Sequence, residues 1–138
     1  MKKKKQKLQL RRRDYDLLLR YVHSRMTPMS GEQKNAEQLY EELKSAKVYE
    51  DNESLPEDVI GLFSDVEVEE KQSGRSMKFS IVLPTQANMS KQRLSIFAPL
   101  AIALMGYRKG QEITWEMPSG KKIFHVKEVS NAAVSELQ

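Results

Sequence analysis

Cysteine is absent from the 138-residue chain. That excludes a disulfide framework, a thiolate zinc site and a cysteine nucleophile, and it fits a reducing compartment. Long apolar runs are also missing. The opening Lys2, Lys3, Lys4 and Lys5 could start a secretion signal, but only the isolated Leu8 and Leu10 follow before Arg11, Arg12 and Arg13. Neither a signal peptide nor a membrane span is expected. Residues 1–13 lack acidic groups altogether and hold eight basic ones. With 6 glycines and 5 prolines, no low-complexity class fits.

The charged residues are divided by region. Beyond residue 13 the chain has 15 basic and 19 acidic groups. Residues 32–70 hold 13 acidic and 3 basic side chains, whereas residues 71–127 hold 10 basic and 2 acidic ones. Such separation suits a charged partner surface. A basic tail can hold phosphate by counterion release, or it can simply be solvated.

Periodicity outlines the elements. Tyr15, Leu18, Val22 and Met26 fall on one helical stripe over residues 14–26. Thr27-Pro28-Met29-Ser30-Gly31 breaks the pattern. Ser30 and Gln33 stand at capping-box spacing, and Ala36, Leu39, Tyr40, Leu43 and Ala46 form a second stripe. The two helices should pair antiparallel, each about 20–25 Å long at 1.5 Å per residue.

From residue 65 the period becomes two. Val66 and Val68, then Met77, Phe79, Ile81 and Leu83, predict a hairpin around Ser73-Gly74. Residues 93–97 predict another strand. Ala98-Pro99 opens a short helix through Met105, and Gly106 stands where a left-handed cap belongs. Ile113, Trp115 and Met117, a Pro118–Lys121 turn and residues 123–129 complete an antiparallel sheet of about five strands with one short helix, an α+β plan. Trp115 is assigned to the core.

No catalytic or metal constellation emerges. His23 and His125 have no ligand neighbour at metal spacing. Ser24, Ser30 and Ser95 lack a nucleophile motif. Gly106 and Gly110 lack the Lys-Ser/Thr of a phosphate loop. No cofactor, metal or enzymatic activity is expected. Arg93, Arg108, Lys109, Lys121 and Lys122 read either as a basic rim or as a solvated face.

Residues 93–129 carry a resemblance. Ala98-Pro99, Ala103-Leu104-Met105-Gly106, Gly110-Gln111 and Pro118-Ser119-Gly120 follow one another in the order of the C-terminal domain of the Gre-factor superfamily. Leu55-Pro56-Glu57-Asp58-Val59 and the helical pair fit too. The chain resembles most the superfamily's short Rnk type, named for regulation of nucleoside diphosphate kinase. The resemblance implies four segments: a basic flexible tail over 1–11, a short antiparallel coiled-coil hairpin over 12–49, an FKBP-like domain over 50–130 and a frayed end over 131–138.

It also implies RNA polymerase as partner. The expected function is non-enzymatic regulation of transcription elongation, by binding the secondary-channel entrance and competing with cleavage factors. Phe97, Ala98, Pro99 and Leu100 occupy the docking loop, with Phe97 either pointing outward or packed in the core. Met26, Thr27, Pro28 and Met29 form the hairpin tip, the two methionines either contacting a partner or stapling the turn. Cleavage factors have a long hairpin with an acidic pair at its end; here Glu32 is the one acid nearby. Lys2, Lys3, Lys4, Lys5, Arg11, Arg12 and Arg13 are candidate nucleic-acid contacts, which gives an alternative reading as a nucleic-acid-binding module. Regulation of nucleoside diphosphate kinase is the other alternative. A cytoplasmic monomer without membrane contact is expected.

Overall fold

Two apolar helical stripes and a set of alternating strands must bury their apolar sides against one another. The computed structural model shows how, and it describes residues 6–50 and 53–131. The chain begins with strand β1 (Gln9–Arg11) and helix α1 (Arg12–Arg25). A 3-10 turn (Pro28–Ser30), helix α2 (Gln33–Lys44) and strand β2 (Lys47–Tyr49) follow. Next come β3 (Asp65–Glu70), β4 (Ser76–Val82), β5 (Arg93–Ser95), α3 (Pro99–Leu104), β6 (Glu112–Met117) and β7 (Gly120–Ser130). The architecture is mixed α+β.

The helical stripes are where periodicity puts them. Leu18 and Val22 on α1 and Ala36, Leu39 and Leu43 on α2 are fully buried. Contacts across the arm run in reverse order along the chain: Arg25 meets Glu32, the His23 ring lies tilted against Tyr40, and Arg12 reaches Glu50 just beyond β2. Ser30 does not form the expected capping box. Its Oγ accepts from Glu32 N (3.0 Å) and donates to Arg25 O (2.7 Å), closing the turn, and no side chain caps α2.

Residues 6–11 depart from the free tail expected over 1–11. Leu8 and Leu10 are each 1% exposed, and β1 pairs in parallel with β2. Two leucines between charged residues looked isolated in sequence; each is buried because β1 alternates inward and outward. Lys2 to Lys5 lie outside the described residues. Gly106 records how close this segment comes. It has φ +97°, and a Cβ there would stand 2.6 Å from Lys7 O.

The main sheet has the order β5-β4-β3-β7-β6. It is mixed, not wholly antiparallel, because β5 runs parallel to β4. The ten residues between them include two 3-10 turns, Pro84–Gln86 and Met89–Lys91, which carry the chain over before it returns in the same direction. One sheet face, with Val66, Val68, Ile81, Phe124 and Val126, joins one continuous core with α3 and the helical pair, α3 touching both β6 and α2. Trp115 packs only partly buried at the core margin, its ring 6.0 Å from Phe124. At the end of β7, Asn131 Nδ2 donates to Glu57 O and Val59 O, so the expected frayed end is tied down at its first residue. Residues 132–138 lie outside the described part.

Candidate docking site

The corner between β5 and α3 is built from a serine and a proline. Ser95 Oγ accepts from Phe97 N at 3.1 Å, and Ser95 O accepts from Ala98 N at 2.9 Å. The chain therefore turns at Phe97, strand alternation ends, and Ile96 and Phe97 both enter the core at 0% and 1% exposure. Phe97 is thus a core residue and not a projecting anchor. Pro99, first in α3, is exposed, and Ala98 and Leu100 flank it half-buried. Its fixed φ pre-sets the helix start, so a partner would meet an already ordered loop.

The helical arm holds this corner. Asn35 Nδ2 donates to Phe97 O at 2.9 Å across 62 residues of sequence. Asn35 lies in the first turn of α2, so the arm's tip and the Ala98–Leu100 loop belong to one assembly. Nothing in the sequence singled out Asn35, because an asparagine on a helix carries no motif.

At the tip, the two methionines part ways. Met26 packs half-buried against the core, whereas Met29 is 93% exposed beside exposed Thr27 and Pro28. Gly31 closes the turn at φ +77°, a backbone region that favours glycine. Glu32 is the only carboxylate between residues 17 and 36, and its Oε1 accepts from Arg25 Nε at 3.1 Å. Among the described residues no group of three or more His, Asp or Glu side chains is placed to hold a metal.

The basic residues are partly neutralised. Arg12 pairs with Glu50 (2.9 Å) and lies over Tyr15. The hydrogen bond to Glu50 holds the Arg12 guanidinium above its ordinary pKa, and the same bond holds the Glu50 carboxyl below its own. Arg11 and Arg13 are exposed. Burial pushes the neighbouring Asp14 carboxyl up, against the opposing pull of Arg13 and Arg11. Of Arg93, Arg108, Lys109, Lys121 and Lys122, read from sequence either as a basic rim or as a solvated face, three are ion-paired. Arg108 bonds Asp58 (2.8 Å), Lys109 Glu128 (3.3 Å) and Lys122 Glu70 (2.7 Å).

Comparison with known proteins points in one direction. Residues 55–131 match the family model described as transcription elongation factor, GreA/GreB, C-term. The regulator of nucleoside diphosphate kinase of Escherichia coli is 35% identical over 68 residues, 49% of this chain and 50% of that protein. The transcription inhibitor protein Gfh1 of Thermus thermophilus is 37% identical over 71 residues, 50% of this chain and 46% of that protein. The chain spans about half the length of these curated relatives. A solved GreA/GreB elongation factor from Nitrosomonas europaea superposes with a TM-score of 0.73 at 27% identity, covering 91% of this chain and 99% of that one.

Proposed function

Because the chain belongs to the GreA/GreB family through its C-terminal domain, we propose that it regulates transcription elongation without chemistry of its own, by binding RNA polymerase. In this reading the Ala98–Leu100 loop docks at the entrance of the secondary channel, and the sheet with α3 serves as an FKBP-like frame for docking, not for isomerisation. The helical arm lies in the channel mouth and excludes cleavage factors by competition.

One observation carries the non-catalytic half of the proposal: the single tip carboxylate, Glu32, is committed to Arg25. Assisting a magnesium ion at a polymerase active site needs carboxylate oxygens free to approach the metal. A paired Glu32, at the start of α2, offers one engaged carboxylate on an arm whose longer helix, the 14-residue α1, spans about 21 Å at 1.5 Å per residue. That arm supports occupancy of an entrance, not reach to a deep centre.

The test is competition. The protein should bind purified core polymerase and displace a labelled cleavage factor at micromolar concentration, and stalled complexes incubated with it should keep their RNA length. Failure to bind rejects the reading, and shortened RNA rejects its non-catalytic half.

Exposed Arg11 and Arg13 favour a second, weaker role in contacting nucleic-acid phosphate. Such contact would fall steeply with salt; a salt-independent affinity would reject it.

A further inference from the structure

Strand β4 outruns its outer neighbour. Ser80–Val82 pair with β5, whereas among the described residues Ser76–Phe79 have a strand partner only in β3. Backbone direction alternates along a strand. Ile81 N donates to Ser64 O on the β3 side, and Ser80 N donates to Gln92 O on the β5 side. Ser76 and Lys78 therefore direct their N–H and C=O groups to the side where β5 has not begun.

The two sheet faces beside this edge differ. On the core face lies an open groove of about 550 Å³, lined by Met77, Phe79, Met89, Leu94 and Leu100 among others. Met77 and Met89 are 38% and 74% exposed. On the opposite face Lys78, which also borders that groove, and Lys91 line a shallow depression together with Asp65, Glu67 and Glu128. Neither lysine has an ion pair among the described residues. Of these acids Glu128 pairs with Lys109 (3.3 Å) and Glu67 stands 3.9 Å from Lys127, whereas Asp65 accepts only from the neutral Ser80 Oγ, so the two lysines outnumber one unpaired carboxylate.

We propose that this edge takes up, as an added strand, an extended segment of a partner protein in which apolar and acidic side chains alternate. The outward backbone groups of Ser76 and Lys78 call for an extended main chain, which a helix or a nucleic acid does not offer. Alternation would send every second side chain into the methionine-lined groove and the others toward Lys78 and Lys91. Methionines adapt to varied apolar partners, and the two lysines select negative charge. The site does not depend on polymerase binding.

An alternating Glu–Val octapeptide is the probe, with fluorescence anisotropy for affinity and amide hydrogen exchange for location. Binding should slow exchange within Ser76–Phe79. N-methylation of alternate peptide amides should weaken it at least about tenfold, as loss of main-chain hydrogen bonds requires. The double variant Lys78→Glu, Lys91→Glu should weaken it about tenfold and admit a Lys–Val octapeptide instead. Both positions are exposed, so the variant should fold, and an unchanged melting curve checks this. Three results would overturn the proposal: no binding at millimolar peptide, equal affinity for the N-methylated peptide, or protection elsewhere. A concentration-dependent dimer protected at the same edge would also overturn it, since a second copy would then be the occupant.

Discussion

Replacing Gly106 by alanine tests whether the N-terminal segment is built into the fold. Gly106 has φ +97°, where an L residue costs about 1–2 kcal/mol. The added Cβ would also stand 2.6 Å from Lys7 O, 3.0 Å from Lys7 C and 3.1 Å from Gln6 O. These are backbone atoms, so no side chain can swing aside; residues 6–8 must move, and with them Leu8, which is 1% exposed. Partial loss of one buried leucine adds about 1–2 kcal/mol. The expected destabilisation is thus about 2–4 kcal/mol, read from urea unfolding as a lower midpoint at unchanged slope. Hydrogen exchange supplies the second readout: the Lys47 amide, which donates to Leu8 O at 2.8 Å, should lose protection more than the amides of β3 and β7. A Gly106→Ala protein within about 0.5 kcal/mol of the parent, with Lys47 equally protected, would refute the reasoning; distant surface changes have effects of that size.

Other perturbations read other parts of the structure. Asn35→Ala should cost about 1 kcal/mol, as expected for a part-buried hydrogen bond, and should speed exchange at Phe97 and Ala98; unchanged exchange there would contradict the tether. Pro99→Glu should lower affinity for polymerase at least about tenfold with little change in melting temperature, and an unaltered pull-down would remove the loop from the interface. Arg25→Ala frees Glu32 and should cost at most about 1 kcal/mol, the usual worth of a partly exposed pair. It should confer no transcript cleavage, which gel analysis of stalled complexes would check. Asp14 binds its proton more tightly folded than unfolded, because burial raises its carboxyl above 3.8. Its charge therefore subtracts stability as pH rises through that raised value. Asp14→Asn should stabilise the protein at pH 7, and the gain should vanish near pH 3; a gain independent of pH would refute the assignment.

The sequence made the helical pair legible because its burial is one-sided. Leu18, Val22, Leu39 and Leu43 repeat at helical spacing, and all are buried. It also showed the turn into α3, where Pro99 and Gly106 bracket the helix. The parallel pairing of β5 was not legible. Direction is set by a ten-residue connection whose turns carry no strong signal, and alternation reads the same either way. Leu8 and Leu10 were misjudged for a related reason: a three-residue strand gives too short a pattern to stand out among eight basic residues. At the candidate site, alternation could not orient Phe97 because the turn at Ser95 ends the strand register. Asn35 was missed because its partner, a carbonyl 62 residues away, is visible only in three dimensions. The family resemblance was legible in the spaced motifs of residues 93–129, which fall within the matched residues 55–131.

The pairing of β1 with β2 has a consequence for how such proteins can vary. These strands flank the two helices and run side by side, so the arm leaves and re-enters the body at a single closed base. Matched heptads inserted into α1 and α2 near the turn would extend the arm by on the order of 10 Å while leaving that base untouched. Reach is thereby an adjustable quantity, uncoupled from the frame that carries Pro99, and an arm of any length can be mounted on the same socket.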